Sequence, residues 1–249
     1  MRIKKLKLEN FRAYKEETIF EFGNLTTFVG KNDIGKSSIL EALDIFFNEG
    51  KGTIKIDSND VNKFARDEEN DEIKITVIFD DLPDTIIIDA TNSTSLKDEF
   101  LLNSDGHLEI IKKYPNGGKE KVFIKANHPT NPNCSDLLLK KNNDLKKIIT
   151  DNEISCNDKT KNAVIRKAIW SHFRNDLQLK EIEIDASKED AKNIWEQLKN
   201  YMPLYALFQS DRKNSDGDNE IQDPLKEAVR QILSNDEIMN KFNEIANEV

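Results

Sequence analysis

An α/β fold is predicted by three features of the chain. An apolar, β-branched run at Leu25–Val29 passes through a glycine-bearing loop into a helical pattern; two short alternating runs precede it; and longer β-rich runs follow between 73 and 126, separated by turn residues. Strand, loop, helix and then more strands is the order of a mixed fold rather than of a helical bundle or an all-β sandwich.

At the amino terminus, Ile3, Leu6 and Leu8 alternate with polar residues. They lead through Asn10-Phe11-Arg12-Ala13-Tyr14 to a second alternating run, Thr18–Phe22, so two antiparallel strands around a turn are expected. Next comes Phe28-Val29-Gly30-Lys31-Asn32-Asp33-Ile34-Gly35-Lys36-Ser37-Ser38, which fits G-x-x-x-x-G-K-[ST] without a mismatch. Gly30 and Gly35 lack a Cβ, so the backbone can curl round a polyphosphate and aim N–H groups inward. Lys36 supplies a cation to the terminal phosphates, and the Ser37 hydroxyl can complete a Mg²⁺ coordination sphere. The helix beginning near Lys36 adds its positive end. Ile39, Leu40, Leu43, Phe46 and Phe47 recur at helical spacing and predict an apolar stripe. A glycine turn with no ligand is the alternative.

"MRIKKLKLENFRAY" followed by "FVGKNDIGKSSILEALDIFF" resembles the amino-terminal lobe of the RecF/SMC group of ABC-type ATPases, and within it the overcoming-lysogenization-defect (OLD) nucleases and related antiphage-defence ATPases. The resemblance covers the first fifth of the chain. It implies a P-loop NTPase fold, an ABC-ATPase-like amino-terminal lobe with an antiparallel β-subdomain and a helical insertion. It implies ATP and Mg²⁺ as cofactors, held by Arg12, Gly30, Asn32, Asp33, Ile34, Gly35, Lys36, Ser37 and Ser38. Arg12 would reach the nucleotide from its turn, or be an ordinary solvated arginine. Gln209, after the apolar run Leu204–Phe208, would sense the γ-phosphate through Mg²⁺ or water, with Ser37 as the other metal ligand and Lys36 and Gln209 as the catalytic pair; an incidental loop glutamine is the competing reading.

Ile73–Phe79 reads as a strand, and Phe100–Tyr114 and Lys121–Ala126 suggest further strands, with turns at Ser104-Asp105-Gly106 and Asn116-Gly117-Gly118. The Asn-Gly-Gly sequence lacks the Leu-Ser of an ABC signature and reads as a hairpin turn. Ile86-Ile87-Ile88-Asp89 has the outline of a Walker B strand, but Ala90 stands where such enzymes place a glutamate, so an ordinary strand is preferred.

Three parts are expected: 1–133, the P-loop core with its β-subdomain; 134–202, a helical insertion with amphipathic helices at Lys161–Phe173 and Lys188–Tyr201; and 203–249, a return strand, a Q-loop-like segment and an outgoing helix from Pro224. Trp170 and Trp195 fall on apolar helical stripes and read as core. Asp216-Gly217-Asp218 offers paired carboxylates for a metal, but no apolar strand precedes it and a solvated loop is preferred.

The 249 residues can bury one substantial core or one domain with an appendage, and 33% charged residues suit exposed helices. No apolar run is long enough to cross a bilayer, so no membrane partner and a cytoplasmic location are expected. Cys134 and Cys156 are too few for a disulfide framework, and His107, His128 and His172 form no zinc spacing. A net charge of −9 argues against indiscriminate coating of DNA, and the lysines at 112, 113, 119 and 121, and at 140, 141, 146 and 147, read as solvated faces. With no signature motif, no Walker B Asp-Glu pair and no TOPRIM carboxylates in view, the residues read as the amino-terminal part of a longer polypeptide. Expected partners are a second copy through the ATPase heads, DNA for the full assembly and a separate effector or nuclease subunit. The function expected is an ATPase module gating a DNA-directed, nucleolytic activity in defence or repair; the alternative is a non-nucleolytic ATP-binding scaffold that regulates a separate effector.

Overall fold

The structure is a computed structural model and describes residues 1–30, 35–49, 52–89 and 92–207. They form two compact units, Met1–Lys36 with Ile56–Pro203, and Ser37–Lys55 with the segment from Leu204.

The larger unit is built on a six-stranded antiparallel sheet. Its strands are β1 (Arg2–Glu9), β2 (Thr18–Glu21), β3 (Glu72–Asp80), β6 (Leu108–Pro115), β7 (Lys121–Pro129) and β8 (Leu179–Asp185), in spatial order β2-β1-β3-β6-β7-β8. Alternation of apolar and polar residues sets which face is buried. One row, Phe20–Leu6–Val77–Ile110–Ile124–Ile184, runs across all six strands on the apolar face. The opposite face carries ion pairs that span neighbouring strands: Lys7 to Glu109 at 2.9 Å reaches across β3, and Lys113 to Glu183 at 2.6 Å reaches across β7. β4 (Ile86–Asp89) and β5 (Asn92–Thr94) make a separate antiparallel pair, so the Ile-Ile-Ile-Asp run is an ordinary hairpin strand.

The apolar face is packed by α4 (Asn162–His172) and α5 (Glu189–Lys199). Trp170 of α4 is 3% exposed, meets His128 of β7 edge-on at 5.7 Å and donates its indole N–H to the Cys134 carbonyl at 3.0 Å. Trp195 of α5 is buried with the Lys112 ammonium over its ring. Both tryptophans are core, as their spacing indicates. Lys112 departs from the solvated reading. It points to the apolar face, is 1% exposed, and is neutralised by Glu120 at 2.9 Å. A buried arginine completes this layer: Arg166 bonds both carboxylate oxygens of Glu99, at 2.7 and 2.9 Å, and also pairs with Asp190.

The stretch 134–202 contains two elements the sequence reading missed, α3 (Asn142–Asp151) and strand β8, which joins the main sheet beside β7. Leu145 and Ile149 of α3 lie one turn apart and are buried, a signal present in the sequence but masked by the surrounding lysines. β8 alternates Lys180, Glu181, Ile182, Glu183, Ile184, and only its partner strand reveals which side is inside. The expected strand at Phe100–Tyr114 begins only at Leu108. Residues before it turn twice, with Phe100 at φ 52° and Gly106 at φ 77°.

Two expected buried strands are not strands. Leu25–Val29 has irregular backbone, with Leu25 88% and Val29 89% exposed, because among the described residues no strand lies alongside to share its N–H and C=O groups. Leu204–Leu207 is likewise irregular and Leu204 is exposed.

In the smaller unit, α1 (Lys36–Asn48) buries Ile39, Ala42, Leu43, Ile45 and Phe46, while Leu40 turns outward. Asp44, 1% exposed, accepts from the Ile54 N–H at 2.8 Å and from the Asn48 amide at 2.8 Å, and so ties the chain after the helix back to it. Tyr205 stacks on Phe47 and donates to the Leu40 carbonyl at 2.8 Å; burial beside Asp44 and Glu41 pushes its phenol well above the ordinary range.

Candidate functional site: the loop from Gly30 to Lys36 and its supports

β1 ends in a tight turn. Phe11 and Tyr14 exchange backbone hydrogen bonds at 2.9 and 2.8 Å, with Arg12 at the tip in the left-handed region, φ 50°. Phe11 is fully buried and anchors the turn. Tyr14 leans out of it against Phe20, edge-on at 5.4 Å, and donates its hydroxyl to the Gly35 carbonyl at 3.0 Å. Burial raises the Tyr14 pKa, so the phenol stays a donor through the physiological range. On the other flank, Phe28 lies edge-on to Phe20 and Phe22. The segment leading into the loop is therefore held by rings rather than by a strand ladder.

Gly35 has φ 90°, and a Cβ there would lie 2.9 Å from the Tyr14 hydroxyl. Both conformation and space demand glycine. The Lys36 ammonium donates to the Gly30 carbonyl at 2.6 Å and so closes the two ends of the loop. Lys36 also opens α1, where N–H groups of the first turn lack helical acceptors and the peptide dipoles give a positive end. A glycine with positive φ, a lysine at the mouth of the loop and an exposed Ser37 hydroxyl fit a polyphosphate with its divalent cation. Ser38 is buried. Asn32, Asp33, Ile34 and Gln209 lie outside the described residues, as does the acidic loop around Asp216.

Arg12 is not a free side chain at a turn. Its Nε donates to Asp60 Oδ1 at 2.7 Å, its backbone N–H donates to the Asp60 carbonyl at 2.7 Å, and its guanidinium sits 4.9 Å above the Phe11 ring. Asp60 is itself fixed by a capping box with Asp57 at the head of a short 3₁₀ turn, Ser58–Asp60. Asn62 then caps α2 (Lys63–Asp67) by accepting from the Phe64 and Ala65 N–H groups at 3.0 and 3.2 Å, while its own amide donates to the Arg12 carbonyl at 2.6 Å. From behind, Asn10 accepts from the Asn62 N–H at 3.1 Å.

The hairpin between β6 and β7 packs against the Asp57–Asp60 turn. Gly117 has φ 64°, and a Cβ on it would fall 2.0 Å from the Asp57 carbonyl oxygen. The Asn-Gly-Gly sequence is thus a hairpin turn, as read, and also a contact that only glycine permits. Tyr14, Asp60, Asn62 and Gly117 were missed as parts of the site. The D-x-x-D spacing of a capping box at Asp57 was the one signal available for this loop, and nothing in the sequence places it against Arg12.

Among the described residues no group of three His, Cys, Asp or Glu side chains is arranged to hold a metal, and no helix is long and apolar enough to cross a membrane. Cys134 and Cys156 are unpaired, and burial raises the Cys134 thiol pKa.

Uncharacterized protein MJECL44 of Methanocaldococcus jannaschii is 30% identical over 113 residues, 45% of this chain, and the chain spans 31% of the length of that relative. A solved SMC ATPase, from work on the structural biochemistry of ATP-driven dimerization and DNA-stimulated activation, is similar over 60% of this chain and 91% of that one, with a TM-score of 0.33 and 17% identity. A family described as AAA ATPase domain matches residues 1–249. The chain therefore belongs to the AAA ATPase domain family and is an α/β P-loop ATPase module.

Proposed function

We propose that this module binds ATP with Mg²⁺ at Gly30–Ser38 and gates a DNA-directed endonuclease activity in an antiphage-defence or DNA-repair assembly. The observation that carries the nucleotide part is the Lys36 ammonium held 2.6 Å from the Gly30 carbonyl at the start of α1. That ammonium has a protein oxygen to exchange for a phosphate oxygen, a charge-assisted bond of greater strength. When bound, the nucleotide and its cation supply the hydrolysable phosphoanhydride; this chain's residues orient it and neutralise its charge.

The DNA-directed part rests on the resemblance of Met1–Tyr14 and Phe28–Phe47 to OLD nucleases. In this reading two heads associate on nucleotide and separate after hydrolysis, which biases an effector between inactive and active arrangements. Gln209 and Ser37 are the proposed metal ligands, and the cytoplasm is the proposed location.

The test is calorimetric titration with ATP, with and without Mg²⁺, and measurement of phosphate release with and without duplex DNA, for the wild-type chain and Lys36→Ala. Mg²⁺-dependent binding is expected, weakened about ten- to a hundredfold in Lys36→Ala, which is the worth of a hydrogen bond to a charged group. Little turnover is expected from this segment by itself. A folded wild-type sample with no affinity for ATP overturns the reading.

A further inference from the structure

Phe64 is 70% exposed on the first turn of α2, although aromatic rings of this size are among the strongest contributors to burial. Its neighbours are cationic: Lys63 precedes it, and Arg66, two residues on, donates to the Ser58 carbonyl. The next residue, Ala65, is buried, so the helix is correctly seated and the ring is outside because of its position, not because the helix is misplaced.

The position is tied to the phosphate loop by a short hydrogen-bonded route within the larger unit. The Asn62 side chain accepts from the Phe64 N–H at 3.0 Å and donates to the Arg12 carbonyl at 2.6 Å. One carboxamide therefore joins the backbone of Phe64 to the tip of the turn. Two residues later in that turn, Tyr14 donates to the Gly35 carbonyl at 3.0 Å. An exposed ring, an arginine and the phosphate loop are thus held by the same few side chains. A nucleotide needs those three things: an apolar face for its base, a cation near its phosphates and a glycine-bearing loop around them.

We propose that Phe64 is the base-stacking residue of the nucleotide site, taking the flat face of a purine ring. This rests on the reading of Gly30–Ser38 as a nucleotide site and adds to it the recognition of the base. Stacking on a phenyl ring is tolerant of base identity because every base offers a π-face, so Phe64 supplies affinity for the nucleoside portion and little discrimination between adenine and guanine.

The experiment compares Mg²⁺-ATP with Mg²⁺-tripolyphosphate, which lacks base and sugar, on the full chain and on Phe64→Ala and Phe64→Trp. Phe64→Ala is expected to bind ATP about tenfold more weakly, within the range measured for loss of one base–aromatic stack, and to bind tripolyphosphate like the wild type. Phe64→Trp is expected to keep ATP affinity and to gain an emission signal that ATP quenches and tripolyphosphate does not; Trp170 and Trp195 are buried and give the background. Unchanged ATP affinity in Phe64→Ala overturns the proposal and leaves the phosphate site standing. So does an equal loss for ATP and tripolyphosphate, which marks Phe64 as a support of the loop or part of a protein interface that shapes it. A wild-type chain that binds neither ligand overturns the nucleotide reading itself.

Discussion

The Tyr14 hydroxyl and the Gly35 carbonyl are 3.0 Å apart, and this one bond joins the turn after β1 to the last glycine of the phosphate loop. Tyr14 is also held against Phe20, and Phe28 lies against Phe20 and Phe22, so the loop is tied to the sheet through aromatic contacts on both flanks.

Tyr14→Phe keeps the ring contact and removes the bond. It should cost about 0.5–1.5 kcal/mol of stability, the net worth of a hydrogen bond, and weaken ATP binding several-fold by loosening the loop. Urea unfolding and calorimetric titration of the same samples check both effects. Gly35→Ala should be the more damaging change, since the new methyl meets the Tyr14 hydroxyl and φ 90° strains any residue with a Cβ; adding Tyr14→Phe should restore part of the loss by removing the closest atom.

Gly117→Ala should lower stability by about 1–3 kcal/mol, because a left-handed residue with a side chain is strained and the methyl overlaps the Asp57 carbonyl. Its effect should extend to nucleotide affinity, because Asp57 and Asp60 form the capping box that holds Arg12. A stability loss with ATP affinity intact would separate the hairpin from the site.

Arg166 is fully buried between Glu99 and Asp190. Arg166→Ala leaves two carboxylates without their cation and should cost about 3–5 kcal/mol in urea unfolding, whereas Arg166→Met with Glu99→Gln and Asp190→Asn should recover much of that loss. If Arg166→Ala unfolds at the wild-type urea midpoint, the bridge contributes nothing.

His128 is 1% exposed, donates from Nδ1 to the Phe100 carbonyl at 2.9 Å, and is enclosed by Phe100 and Trp170. Burial is the main cause of its pKa falling below the ordinary 6.5, helped by the positive charge of Arg166; the Phe100 bond and Asp136 oppose the shift without reversing it. Below pH 6.5 the unfolded chain takes up a proton that the folded chain resists. Stability should therefore be constant in this respect above that value and fall as the pH is lowered toward the folded pKa. Denaturant midpoints at pH 7.5 and pH 5.5, for wild type and His128→Asn, check it; the variant should show the smaller decline.

Local chemistry made much of this readable in advance. The alternation in β1, β2, β3 and β7, the helical spacing of α1, α4 and α5, and the Asn-Gly turn each depend on residues within one element, and each is where the sequence puts it; β6 shares its end with the expected strand but begins only at Leu108. The loop motif is legible for the same reason, because Gly30, Gly35, Lys36 and Ser37 lie within one short stretch of chain. Tertiary structure decided the rest. Leu25–Val29 has the composition of a buried strand, yet a strand needs a neighbour to bond with, and none of the described strands lies beside it. Lys112 reads as a surface lysine until its register opposite Val122 turns it inward to Glu120 and Trp195. Arg12 reads equally as a nucleotide contact or as a solvated arginine until Asp60, distant in sequence, closes on it. Periodicity and motif are properties of short stretches of covalent chain; partners for backbone bonds, ion pairs and buried charge come from residues that only the folded chain brings together.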